Sequence, residues 1–259
     1  MMKLAFIHVL VLVGAASGAI EKRIVGGKSC DKDRQYHVQI QSLQGGKSCG
    51  GSLLNTRWVI TASHCAEQVV KLQLGLNNDV SVFTKIGSFF KGSSKKLEQV
   101  IKPDQQFTYK DEEGHAHDIM LIKLSEDMSA KLPTIKLPPV ECTKPEVGQQ
   151  VEIGGWGPEK ADVTKAKIPK KLKCASTDII ACDENDKPGD KYFSDEATTM
   201  CAFKPGVESC IGDDGSAVEY NNVLHGIIVN SPVDKCANRI VMLNICHYRK
   251  WIDETMQKN

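Results

Sequence analysis

The apolar residues of this chain fall in short runs that alternate with polar ones and are rich in β-branched side chains. Such runs span Tyr36 to Leu43, Gly51 to Leu54, Trp58 to Ala62, Val70 to Leu76 and Ile119 to Leu124. The same style returns in Gln149 to Gly154, His225 to Asn230 and Ile240 to Ile245. Clusters of Gly, Asn, Asp and Lys separate the runs, a pattern of antiparallel sandwiches or barrels and not of βαβ units. Between the two halves, Leu132 to Pro145 carries four prolines and reads as an extended linker. Only the last stretch has helical spacing. Tyr248, Trp251, Ile252 and Met256 line one side of a C-terminal helix expected to dock on the second half.

Other features narrow this picture. A chain of 259 residues with net charge +1 suits one large all-β domain or two small ones, and its balance does not point to nucleic acid. Lys3, the apolar run Leu4 to Ala16 and the small residues Ser17, Gly18 and Ala19 predict a cleaved secretory signal over residues 1–18. That run is too short to span a bilayer, so a soluble, secreted, extracellular protein is expected, with no membrane association. All ten cysteines follow the signal, and an even count in an oxidising compartment reads as a disulfide framework. Structural zinc is the rival reading, but paired C-x-x-C units are missing. Residues 19–23 read as a short propeptide, because Lys22-Arg23 before Ile24-Val25-Gly26-Gly27 resembles a processing site that frees Ile24. An accidental basic pair in a leader is the alternative.

Three stretches carry candidate chemistry. Trp58 to Cys65 ends an apolar strand on His64, which alone reads as a strand-end structural residue ahead of a catalyst. His117-Asp118 opens a buried strand with a carboxylate able to hold an imidazole in one tautomer, although aspartates also simply form turns. Cys210-Ile211-Gly212-Asp213-Asp214-Gly215-Ser216-Ala217 places two carboxylates between two glycines, as in a tight turn that aims backbone N–H groups at one point.

Together these motifs resemble the trypsin- or chymotrypsin-like serine proteases over nearly everything after the signal. Arg23 to Gly27, Thr61 to Cys65, Asp118 to Ile122, Gly155-Trp156-Gly157, Cys210 to Gly215 and Tyr248 to Ile252 carry the likeness in order. The resemblance implies two six-stranded antiparallel β-barrels, about 24–131 and 146–246, and a helix over 247–257, within a domain of residues 24–259. It implies disulfides Cys30–Cys174, Cys49–Cys65, Cys142–Cys246, Cys182–Cys201 and Cys210–Cys236. It also makes His64 the general base, Asp118 its orienting carboxylate, Gly212 and Asp214 the oxyanion-hole N–H donors, and Asp213 the partner of a freed Ile24 amine.

The family's nucleophilic serine falls on Asp214. A carboxylate attacks an amide poorly and would give a reactive anhydride, and it places a fixed anion beside the oxyanion hole. It also favours imidazolium at His64, which could then accept no proton. The degenerate triad is therefore expected to be inactive. The primary pocket is altered as well: Glu208 stands at its base, Val229-Asn230-Ser231 replace the usual wall, and Ile240 stands where the family has glycine. A narrowed or filled pocket is expected. No metal or cofactor is expected; the calcium loop after Leu74-Gly75 lacks its carboxylates, with Leu76 and Val80 to Phe83 there.

The expected role is that of a secreted pseudoprotease that binds an extracellular protein. A modest likeness to mite gut trypsins and their inactivated paralogues implies interference with host complement or other plasma proteins. Lys160, Lys165, Lys167, Lys170, Lys171 and Lys173 form a basic loop suited to an anionic polysaccharide, or simply to water. The rival class is a weak hydrolase acting through Ser216, through a metal held by His64, Asp118 and Asp214, or through an aspartyl intermediate.

Overall fold

The computed structural model describes residues 24, 26–44, 48–77, 97–128, 132–157, 171–230 and 236–259. In chain order the strands are β1 (Lys28–Ser29), β2 (His37–Ser42), β3 (Ser48–Leu53), β4 (Trp58–Thr61), β5 (Val70–Gln73) and β6 (Glu98–Ile101). Then follow β7 (Gln106–Lys110), β8 (Ala116–Lys123), β9 (Gln150–Gly155), β10 (Lys173–Ile180) and β11 (Thr199–Phe203). The last are β12 (Ser209–Cys210), β13 (Ala217–Tyr220), β14 (Val223–Ile228), β15 (Cys236–Ala237) and β16 (Arg239–Asn244), before helix α1 (Ile245–Lys258).

Every pairing within these strands is antiparallel. In the second half, β10-β11-β16-β14-β13-β9 closes on itself through β9–β10 into a six-stranded barrel, with β1 added along β10. The first half runs β6-β5-β2-β3-β4-β8-β7, seven strands that form an open half-barrel among the described residues. The closed six-stranded ring is complete in the second half, while the two edge strands of the first, β6 and β7, are separated in the chain only by residues 102–105. Alternation explains the half-buried strands: β6 and the start of β9 point Gln99, Ile101, Val151 and Ile153 inward and their neighbours to solvent. Strands β4 and β8 lie in the middle of the first sheet and are buried along most of their length.

All five disulfides pair as the family resemblance implies. Cys142–Cys246 fastens the proline-rich linker to the start of α1. That helix is capped by Asn244, whose side chain accepts the Cys246 N–H. Its apolar side does not dock on the second half alone. Trp251 and Tyr248 meet Tyr109 of β7 edge-on at 5.4 and 5.1 Å, and the Tyr248 hydroxyl lies 2.8 Å from His117 Nδ1 of β8. The helix therefore spans both sheets, because its aromatic side chains are long enough to reach the β7–β8 hairpin.

A buried ion pair also fastens the halves. Arg34, held at φ 56°, donates from Nη1 to the Ala217 carbonyl at 2.9 Å, and its Nη2 lies 3.2 Å from Glu219 Oε1. Tyr36 donates its hydroxyl to the same carboxylate. Removing one member of such a pair strands the other charge, at a cost of about 3–5 kcal/mol. Glu219→Ala is expected to lower unfolding free energy by about that amount in urea titration. A loss below about 1 kcal/mol would mean that solvent already satisfies Arg34.

Candidate functional site

His64 sits in a single 3-10 turn, Ser63–Cys65, just after β4. Three contacts fix that turn. Cys65 is bridged to Cys49, Ser63 Oγ donates to the Ile119 carbonyl at 2.9 Å, and the His64 N–H donates to Asp118 Oδ1 at 2.9 Å. The register Thr61↔Met120 between β4 and β8 brings Asp118 alongside the turn. Its Oδ2 lies 2.7 Å from His64 Nδ1, and Asp118 is buried while the imidazole is 32% exposed.

The opposite wall comes from the second half. Gly212 at φ 105° and Gly215 at φ 78° allow the turn, and a Cβ on Gly215 would stand 2.3 Å from the Gly50 carbonyl oxygen. The Asp214 carbonyl accepts the Gly50 N–H at 2.8 Å, tying this loop to β3. Asp214 Oδ1 accepts the Asn230 N–H at 3.1 Å, and Oδ2 lies 3.6 Å from His64 Nε2. The imidazole thus has a carboxylate on each nitrogen. Desolvation opposes its charge, but the hydrogen bond to Asp118, the close approach of Asp214 and then the two negative charges outweigh it, pushing the pKa up to about 10. The N–H groups of Gly212 and Asp214 meet no acceptor among the described residues.

Asp213 points the other way, into the protein. Its Oδ1 accepts the Gly157 N–H at 2.7 Å and its Oδ2 the Cys210 N–H at 2.8 Å. Burial raises its pKa to about 7 against those two donors, with Asp214 adding to the rise. This cradle explains Gly155-Trp156-Gly157: a Cβ at Gly155 would stand 1.9 Å from Asp213 Oδ1, and one at Gly157 2.6 Å from Oδ2. Ile24 is buried in the apolar cluster of the second barrel, at φ 28°.

Other expected site residues fall as follows. Ser216 is buried with Oγ against Gly50 and makes no hydrogen bond to His64 or any other described group. Glu208 is half-buried, Val229 is buried, and Asn230 donates its side-chain amide to Ser209 Oγ at 2.7 Å. Ile240 is buried opposite Ala202 in the cluster that holds Ile24 and Val207. Ser231, Val80 to Phe83, and Lys160 to Lys170 lie outside the described residues, while Lys171 and Lys173 are exposed and half-buried. His64, Asp118 and Asp214 do not converge on one point, since the carboxylates address opposite ring nitrogens; the metal-assisted reading loses its geometry. Cys49 and Cys65, which also lie near His64, are oxidised to a disulfide and offer no thiolate.

Sequence reasoning missed His37. It is buried beside Ser216 and Gly50, its Nε2 meets no partner among the described residues, and burial and then Arg34 push its pKa down to about 3. The residue starts a strand of otherwise ordinary alternation, so nothing local marks it.

A closed β-barrel beside a half-barrel, with a histidine and a buried aspartate on one half and a glycine-bounded turn on the other, matches the chymotrypsin-like class. The Trypsin family model matches residues 24–252, and the chain belongs to that family. It is 32% identical to kallikrein-8 of Rattus norvegicus, covering 98% of this chain and 95% of that one. It is 30% identical to trypsin of Xenopus laevis, covering 98% and 99%. Among solved structures, neuropsin, a serine protease expressed in the limbic system of mouse brain, aligns with TM-score 0.65 and 26% identity over 89% of this chain and 98% of that one. Among the described residues no helix is long and apolar enough to cross a membrane.

The double clamp on His64 has a pH signature. Its folded pKa of about 10 exceeds the ordinary value of about 6.5, so its contribution to stability is complete below about pH 6.5 and is lost as pH rises through about 10. The stability of the wild type minus that of Asp214→Asn, from urea unfolding at successive pH values, should therefore shrink over that window. A difference that stays flat or grows would mean that Asp214 does not hold the imidazolium.

Proposed function

We propose that this chain is a secreted, non-catalytic member of the trypsin family that acts by protein binding. The observation that carries the reading is Asp214 at the nucleophile position, with its carboxylate beside His64 Nε2 at 3.6 Å. Three requirements of acyl transfer fail there together. The hydroxyl nucleophile is missing, the imidazolium cannot act as base at neutral pH, and a fixed anion borders the oxyanion donors Gly212 and Asp214. Loss of the nucleophile alone lowers turnover by about 10⁶ in a serine protease triad. Ser216 offers no rescue from its buried position.

Five disulfides and the family favour an extracellular setting, with residues 1–18 as the signal. Cleavage after Arg23 would give the buried Asp213 carboxylate, which has no cationic partner among the described residues, the ammonium of Ile24 to pair with. The primary pocket, with Glu208, Val229, Asn230, Ser231 and Ile240 in place of the family's residues, is narrowed. The partner is an extracellular protein, of host complement or plasma, with a polyanion at Lys160 to Lys173 as a secondary contact.

The test has two arms. Small ester and amide substrates should be turned over no faster than by Asp214→Ala, and the mature protein should retain a specific protein from host plasma. Hydrolysis that Asp214→Ala abolishes would replace this reading with that of a weak hydrolase. Retention of nothing beyond a scrambled-disulfide control would remove the binding role. Cleavage of Lys or Arg substrates by Asp214→Ser alone would show that the pocket is open.

A further inference from the structure

At one end of the second barrel, the linker that follows Cys142 and the loop that follows β10 border a cavity of about 630 Å³. That size falls in the range of about 300–1,000 Å³ usual for ligand clefts. The cavity shares no lining residue with the His64 cleft. Buried Pro145, Ile179 and Met200 form an apolar floor, with Cys182 of the Cys182–Cys201 bridge beside them. Val147 stands at its edge, 68% exposed and the most exposed large apolar side chain among the described residues.

The polar lining is unbalanced. Six carboxylates border the cavity against two lysines, and the cations at hand are already engaged. Lys144 Nζ donates to the Glu196 carbonyl at 2.6 Å, Lys187 Nζ lies 3.4 Å from Asp190 Oδ1, and Arg239 holds Asp183 and Asp186. The side chains of Glu146, Glu184 and Glu196 are exposed and meet no cation among the described residues. Water solvates exposed carboxylates well, so charge alone defines no site. Here the unpaired charges ring an apolar floor whose walls are fixed. The Cys182–Cys201 bridge and Arg239 Nε, at 3.0 Å from both oxygens of Asp186, hold the loop that carries Glu184. The linker is tied by Cys142–Cys246, by the Gly148 N–H to the Ile179 carbonyl at 2.8 Å and by the Glu146 N–H to Gln149 Oε1 at 2.8 Å. Little ordering is left for a ligand to impose.

We propose that this groove docks the protein partner through an extended segment in which an aliphatic residue has a lysine or arginine two positions away on each side. The inference rests on the protein-binding role proposed above and adds the chemistry of the contact. In an extended chain, residues two apart fall on one face. The aliphatic side chain then covers Pro145, Val147 and Met200 and removes them from water. The flanking cations reach Glu146 and Glu196 on the linker side and Glu184 on the other, their own methylene stems lying along the apolar floor. An acidic segment meets like charge on both sides and is rejected, so the lining selects as well as attracts.

A nitrogen-15 NMR titration of the mature chain with the capped peptide Lys-Ser-Leu-Ser-Lys tests this. Amide shifts are expected in residues 144–147, 181–187 and 194–196, with affinity falling as sodium chloride rises. Affinity should be about three- to tenfold weaker in the double variant Glu146→Gln/Glu184→Gln. Val147→Ser should weaken it as well. All three residues are exposed, so thermal melts of the variants should match the wild type. Shifts absent or elsewhere overturn the proposal, as does undiminished binding by the double variant. Equal binding of Lys-Ser-Ser-Ser-Lys would show mere attraction of cations, and equal binding of Glu-Ser-Leu-Ser-Glu would remove the charge selection; either overturns it. A second arm repeats the plasma retention with the double variant. Weaker retention than by the wild type supports the groove; equal retention overturns the groove and leaves the binding role standing. A wild type that retains nothing removes the binding role, and the peptide titration then decides the groove alone.

Discussion

The imidazole of His64 lies between two carboxylates, and the arrangement of the whole molecule converges on that clamp. Asp118 reaches it from the first sheet at 2.7 Å and Asp214 from the second barrel at 3.6 Å. An imidazole so placed is a cation that links the halves, where a general base would need a free lone pair at Nε2. Asp214 thus stands to the imidazole as a second counter-ion.

The scaffold beneath the clamp is retained in detail. Asp213 keeps its two backbone donors and its glycine-lined cradle, and the N–H groups of Gly212 and Asp214 meet no acceptor among the described residues. Cys210–Cys236 and Cys49–Cys65 pin the two turns that carry the facing side chains. Arg34, Glu219 and Tyr36 lock the halves at a distance from the chemistry.

Much of this was legible in the chain because the signals are local. Alternating β-branched runs marked β2, β4, β5, β9, β14 and β16, and helical spacing from Tyr248 to Met256 marked α1. Strands β7 and β10 escaped because their residues are half-buried on both faces, so neither shows strong alternation. The reach of α1 across to Tyr109 depends on contacts between segments more than a hundred residues apart. His64, Asp118 and Asp214 were found through family motifs, since each alone is an ordinary residue. His37 and Arg34 carry no motif and become visible only when the strands are paired.

The central claim is that His64 is an imidazolium at neutral pH because Asp118 and Asp214 both hold it. Titrating the ring nitrogens of His64 by nitrogen-15 NMR tests this most directly. The expected result is a ring protonated at both nitrogens through neutral pH, deprotonating near pH 10. Titration near the ordinary value of about 6.5 would contradict the account, because His64 would then be free to act as a base.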